Sequence, residues 1–263
     1  MLHGIETGYE ERYDFPERET PPERVYVLAS LPRSGSTYLS HVLWESGCLG
    51  APLEYLNFLP GGHYGFAANS PDKQVELWRH VLRTRTSPNG VFGAKCFPML
   101  IYLLARSNPP LYEEATRLLM PADRSARVIR LRRRDRLAHA ISYARATRSG
   151  IWREEQESQG GARVPYSRAA VDEAMNELER AEAGWEPLFA SLTTEPLTLW
   201  HEDVVECPDE AMRSVAEFLG VELDPAAAVV VPKVKKQSDS DSRMWAERYR
   251  AETAPSSRPV QPS

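Results

Sequence analysis

Four short apolar runs, at 24–30, 91–95, 127–132 and 197–201, alternate with stretches whose apolar residues recur at helical spacing. Strands separated by helices predict an α/β chain with a central, mostly parallel sheet flanked by helices, because parallel neighbours need crossover connections. A helix is predicted after the first run, with Leu39, Val42 and Leu43 on one face. A second is predicted over 72–86, opened by the cap signal Ser70-Pro71-Asp72. A third covers 168–190 through Val171, Met175, Leu178, Trp185, Leu188 and Phe189, with Pro187 shortening or kinking its end. A fourth covers 208–219 and closes on Gly220. The stretch 50–70, rich in Gly and Pro and holding Tyr55, Phe58, Tyr64 and Phe66, reads as a loop that lines a pocket. Residues 1–23, acidic and proline-bearing, read as a flexible arm, residues 24–250 as one domain, and residues 251–263 as a disordered tail.

The turn after the first strand carries the densest chemistry: Ala29-Ser30-Leu31-Pro32-Arg33-Ser34-Gly35-Ser36-Thr37-Tyr38. A strand, a tight turn of small hydroxyl residues and a helix start aim backbone N–H groups and the positive end of a helix dipole at one point. Arg33 adds a cation, and Ser34, Ser36 and Thr37 add hydroxyls. The stretch is an anion site, yet it lacks the Gly-x4-Gly-Lys-Ser/Thr pattern of an ATP or GTP loop. The segment Arg127-Val128-Ile129-Arg130-Leu131-Arg132-Arg133-Arg134-Asp135-Arg136 reads as the third strand running into a second cluster of cations. In open parallel sheets ligands sit beyond the carboxyl ends of the strands, so these arginines are expected to converge on the crevice that holds Arg33. Their planar forks suit phosphate, and Ser142 on the next helix could add a hydroxyl. Near the C-terminus, Lys233 to Trp245 is a polar, lysine-bearing stretch without periodicity until Trp245, suited to a lid over a nucleotide.

Bulk properties narrow the partners. The 263 residues carry a net charge of −5, which argues against a nucleic-acid or anionic-membrane surface. The 3 cysteines, Cys48, Cys96 and Cys207, have no metal-ligand spacing and read as reduced thiols. No apolar run reaches the length of a membrane span, and the start does not read as a signal peptide, so a cytoplasmic protein is expected.

Together these segments resemble the sulfotransferases that use 3′-phosphoadenosine-5′-phosphosulfate (PAPS), and among them the bacterial trehalose-sulfotransferase family. The pattern at 28–37 is similar to that family's 5′-phosphosulfate loop. Asn89-Gly90-Val91-Phe92-Gly93-Ala94-Lys95 is similar to its Asn-Gly-Val-Trp-Gly-Gly-Lys segment. Arg133, followed nine residues later by Ser142, looks like the pair that holds the 3′-phosphate. Ile151-Trp152-Arg153 and Gly184-Trp185 fall where the family also has tryptophans. Gln237, with Asp239 and Trp245 after it, is similar to the C-terminal cofactor loop.

The resemblance implies a P-loop-like sulfotransferase fold that moves a sulfuryl group from PAPS to a hydroxyl without a metal and releases 3′-phosphoadenosine-5′-phosphate (PAP). It implies donor binding by Arg33, Ser34, Gly35, Ser36, Thr37, Tyr38, Arg133, Ser142, Lys236, Gln237 and Ser238. Glu54, in Gly50-Ala51-Pro52-Leu53-Glu54, falls where the family's Gly-Glu-Pro-x-Glu ends in its proposed catalytic glutamate. His63 is the rival base, since eukaryotic cytosolic sulfotransferases use histidine; His41 and His139 lie on helices and read as structural. Lys95 is expected either to bind the transferring group or acceptor, or to sit in a strand-end salt bridge. Ala51 replaces the glutamate expected to bind sugar hydroxyls, which sets trehalose itself in question. Phe58, Tyr64 and Phe66 would suit a more apolar acceptor. The partner is thus a small-molecule hydroxyl, with a homodimer compatible. Two alternatives stay open: a small-molecule kinase with an atypical phosphate loop, and a non-catalytic nucleotide-binding protein.

Overall fold

The computed structural model describes residues 6–152, 164–233 and 240–254. All four predicted strands form: β1 Arg24–Ala29, β2 Val91–Cys96, β3 Arg127–Arg132 and β4 Leu197–Trp200. They pair in the order β2-β1-β3-β4, every pair parallel. The chain leaves β1 toward β2 on one side and later returns to β3 on the other. The direction of winding therefore reverses beside β1, which puts the ligand crevice outside its carboxyl end.

The helices in chain order are α1 Ser36–Glu45, α2 Pro71–Thr84, α3 Pro98–Ser107, α4 Pro109–Leu119, α5 Arg136–Ser149, α6 Arg168–Ala183, α7 Glu186–Ser191, α8 His201–Glu206, α9 Pro208–Leu219 and α10 Ser240–Thr253. Contacts divide the chain into two compact units: Met1–Arg134 with Leu178–Val234, and Asp135–Glu177 with Lys235–Ser263. The first holds the sheet. Its core includes Tyr26, Leu28, Leu39, Leu43, Val91, Ile129, Val204 and Val215, all nearly or fully inaccessible. The side chains of β2 are buried throughout, as a central parallel sheet requires. In the second unit, Asp135 caps α5 by accepting from Ala138 N–H at 2.8 Å, and Gly150 ends it at φ 71°. There Trp245 of α10 is buried edge-on to Tyr166, and the Tyr249 hydroxyl donates to Asp172 at 2.6 Å.

The structure departs from the sequence reading in four places. The helix expected over 168–190 is two helices, α6 and α7, interrupted at Gly184-Trp185. Pro187 lies in the first turn of α7, where a missing N–H costs nothing, so it starts a helix rather than kinking one. Residues 98–119, not predicted, form α3 and α4, each opened by proline; Asn108 caps α4 through Leu111 N–H. The polar stretch ending in Trp245 becomes α10 from Ser240 onward.

The fourth departure is the arm, which packs from Thr7 to Phe15. Thr7 and Phe15 are buried, and Phe15 N–H donates to Thr84 O at 2.8 Å. The cause is Arg85. Its buried guanidinium donates to Gly8 O (2.7 Å) and Glu10 O (3.2 Å) and pairs with Asp14 (2.7 Å).

Candidate active site

The β1–α1 turn begins at the edge of the sheet, where Ser30 N–H donates to Cys96 O at 3.2 Å. Ser34 N–H donates back to Leu31 O at 3.2 Å. Arg33 (φ 62°) and Gly35 (φ 88°) both take the left-handed conformation, which curls the backbone into a concave nest of N–H groups. The N-cap residue of α1 is Gly35, which has no side chain to cap the helix, so the first N–H groups are placed for an anion. Ser30 and Ser34 are each about 1% exposed, and neither hydroxyl has a hydrogen-bond partner among the described residues. A buried hydroxyl left so costs about 1–3 kcal/mol, a cost that a bound anion's oxygens would remove. Tyr38 packs its ring against the apolar core.

Two groups brace this turn from outside it. Trp185 is buried and donates its indole N–H to Ser30 O at 3.2 Å. Arg133 donates to Arg33 O at 3.3 Å. Its neighbours go elsewhere, correcting the expectation that the whole arginine run converges on the crevice. Arg130 pairs with Glu182 and Glu186, Arg132 with Glu182, and Arg134 with Asp203. Arg130 and Arg132 share one face of β3 by the strand period of two, and Glu182 meets them there; Arg133 lies just past the strand's end.

The second cluster lies beside β2. After α1 the chain runs back along the sheet: Leu53 bridges Ala94 in parallel, and Lys95 N–H donates to Leu53 O at 3.0 Å. This register sets Glu54 next to the Lys95 side chain. Lys95 Nζ, almost fully buried, lies 3.0 Å from Glu54 Oε1 and donates to Thr37 Oγ1 at 3.1 Å. The other carboxylate oxygen, Glu54 Oε2, accepts from Asn57 Nδ2 at 2.9 Å. Burial pushes the Glu54 carboxyl upward, but the Lys95 ammonium, the Asn57 hydrogen bond and the charge of His63 together hold it below its ordinary range. Glu54 is therefore ionised at neutral pH. Cys96, next to Lys95, is a buried thiol pushed up to about 12 by burial and by the Glu54 charge, and so stays protonated.

Of the two readings expected of Lys95, the structure shows the salt bridge near the strand end. His63 lies in the same cluster, its ring stacked on Tyr9 at 3.8 Å. Phe58 and Tyr64 are buried and stacked on one another, whereas Phe66 is 63% exposed. His41 is structural as expected, buried with Nδ1 2.7 Å from Pro232 O. His139 is buried on α5. Tyr9 and Asn57 were missed by sequence reasoning, and only the Glu-x-x-Asn spacing offered a signal. Ser142 stands on α5 in the second unit. Arg153, Lys236, Gln237, Ser238 and Asp239 lie outside the described residues.

A family model described as Stf0 sulphotransferase matches residues 25–252. The trehalose 2-sulfotransferase of Mycobacterium tuberculosis (strain ATCC 35801 / TMC 107 / Erdman) is 26% identical over 257 residues, covering 87% of this chain and 95% of that protein. The trehalose 2-sulfotransferase of Mycolicibacterium smegmatis is 28% identical with the same coverage of each. Among solved structures, mouse sulfotransferase SULT7A1 complexed with PAP aligns at 14% identity and a TM-score of 0.47, over 81% of this chain and 62% of that one. Among the described residues, no helix is long and apolar enough to cross a membrane.

Proposed function

Because the chain belongs to the Stf0 sulfotransferase family, we propose that its sulfuryl donor is PAPS and that Glu54 is the base that receives the acceptor's proton. The acceptor is a hydroxyl of a small carbohydrate, glycolipid or other metabolite. The observation that carries this reading is the position of Lys95. One buried ammonium touches the carboxylate of Glu54 and the hydroxyl of Thr37, which opens the anion-binding helix. It therefore joins the group suited to deprotonating an acceptor to the loop suited to holding a phosphosulfate.

Bound PAPS would supply a sulfur atom that forms a bond to the acceptor oxygen while its bond to the bridging phosphate oxygen breaks. Around that exchange the residues divide the labour. Glu54 takes the proton from the attacking hydroxyl. The backbone N–H groups of the β1–α1 turn, Arg33 and Lys95 face the negative charge that develops on the leaving oxygen and stabilise it there. Ser30 and Ser34 supply buried hydroxyls to the donor's oxygens. On the sequence pattern, Arg133 and Ser142 are assigned to the 3′-phosphate, and Lys236, Gln237 and Ser238 to the donor. Ala51 is buried against the Arg85 backbone, where it offers no carboxylate to a sugar.

The donor assignment is tested by thermal unfolding with PAP, with ATP and without ligand. A ligand that binds only the native state at about 100 times its Kd adds about 2.7 kcal/mol, a rise of roughly 5–10 °C for a chain of this size. PAP is expected to give that rise and ATP little or none. Stabilisation by ATP with none from PAP would overturn the donor and favour a kinase.

A further inference from the structure

The segment ahead of β1 lies upstream of residues 25–252, the part that the family model matches, and its acidic, proline-bearing sequence reads as a flexible arm. In the structure it brings one side chain into the Glu54 cluster. The Tyr9 hydroxyl accepts from Glu54 N–H at 2.8 Å, and the Tyr9 ring stacks on His63 with centroids 3.8 Å apart and planes 14° from parallel. The same ring meets Tyr55 and Tyr64 edge-on, at 6.2 Å and 5.5 Å. Both carboxylate oxygens of Glu54 are already held, by Lys95 and Asn57. Tyr9 holds the backbone of the same residue.

Tyr9 is itself held firmly. Glu10 folds its carboxylate back onto Thr7 N–H and Gly8 N–H, each at 2.8 Å, and Gly8 takes φ 88° between them. Arg85 then clamps Gly8 O and Glu10 O, the carbonyls on either side of Tyr9. A buried arginine that uses its fork on two carbonyls and on Asp14 fixes this turn without touching Glu54. Burial and the neighbouring Glu54 charge raise the phenol well above its ordinary range, so Tyr9 keeps its proton.

We propose that Tyr9 is a positioning residue for sulfuryl transfer, setting the attitude of Glu54 through its backbone N–H and fixing the His63 ring beside it. The N-terminal segment is on this basis a wall of the acceptor site. The inference rests on the proposed function, with Glu54 receiving the acceptor's proton.

The test compares wild type with Tyr9→Phe, which keeps the ring on His63 and removes the oxygen that accepts from Glu54 N–H. Glu10→Ala, which loosens the turn from a distance, is the second variant. Labelled PAPS is offered with trehalose, glucose, 4-nitrophenol or water alone, and PAP binding is measured separately. Tyr9→Phe is expected to lower kcat roughly tenfold with KM for PAPS and Kd for PAP unchanged. Glu10→Ala is expected to lower kcat in the same direction. A purely structural role would lower the melting temperature and leave that split absent. Wild-type kcat in Tyr9→Phe, with PAP still bound, overturns this inference and leaves the proposed function standing. No PAP binding or no turnover of PAPS by wild type overturns the proposed function and this inference with it.

Discussion

Replacing Lys95 with methionine is expected to lower sulfuryl transfer at least about 100-fold, the order of one well-placed electrostatic contact to a transition state. Methionine fills similar space but removes the ammonium from both Glu54 and Thr37. Breaking a buried ion pair by deleting one partner costs about 3 kcal/mol, because the remaining charge stays behind uncompensated. Glu54 is partly exposed, which puts this case toward the lower end of such losses.

The pH dependence of stability follows from the sign of the shift. In the wild type the folded Glu54 carboxyl is held below its ordinary range. The pair's contribution is therefore present above the unfolded pKa of about 4.3 and lost as pH falls through the folded one. In Lys95→Met the leading influence left is burial, which raises the carboxyl. Glu54 then contributes stability only while protonated, and that is lost as pH rises through the raised pKa. The gap in melting temperature between wild type and variant should thus widen from pH 5 to pH 8. An equal gap at both values would mean that Lys95 does not set the ionisation of Glu54.

Gly35→Ala is expected to weaken donor binding strongly. Gly35 sits at φ 88°, and a Cβ there would lie 2.1 Å from His201 Nδ1, closer than any real contact. Either the imidazole or the turn must move, and the turn is the element that would cradle the phosphosulfate. Strain in the left-handed region alone costs about 1–2 kcal/mol. Gly220 at the end of α9 separates the two effects: its φ is also positive, at 64°, but an added Cβ meets nothing within 4 Å. Gly220→Ala should lose stability alone, whereas Gly35→Ala should also weaken PAP at least about 30-fold in a calorimetric titration. Equal PAP affinity in the two variants would remove the turn from the donor site.

The parts of this site that were legible in the sequence are those with local causes. The strands are legible because buried parallel strands are short apolar runs, and the turn because small residues and hydroxyls before a helix can do little else. Glu54 and Lys95 were each named, but their contact was not. It depends on Leu53 bridging Ala94, one pairing inside a Gly- and Pro-rich stretch with no alternation to announce it. The run Arg130 to Arg134 announced cations without revealing their targets. Those depended on which face of β3 met Glu182, an acid some fifty residues further on. Tyr9 was illegible for the same reason, since its segment is acidic and proline-bearing and is held down by distant residues, Arg85 foremost. Helices α3 and α4 carried a local signal, prolines at their first positions, that the reading passed over.

The most direct test of Glu54 as the base in a PAPS-dependent transfer is kcat/KM for the labelled sulfuryl group as a function of pH. Because Glu54 must be ionised and its carboxyl is held low, the acid limb is expected below the ordinary carboxylate range, and Glu54→Gln is expected to lose activity at least about 100-fold while still binding PAP. An acid limb near 6.5, the ordinary histidine range, removed by His63→Ala and untouched by Glu54→Gln, would contradict the assignment.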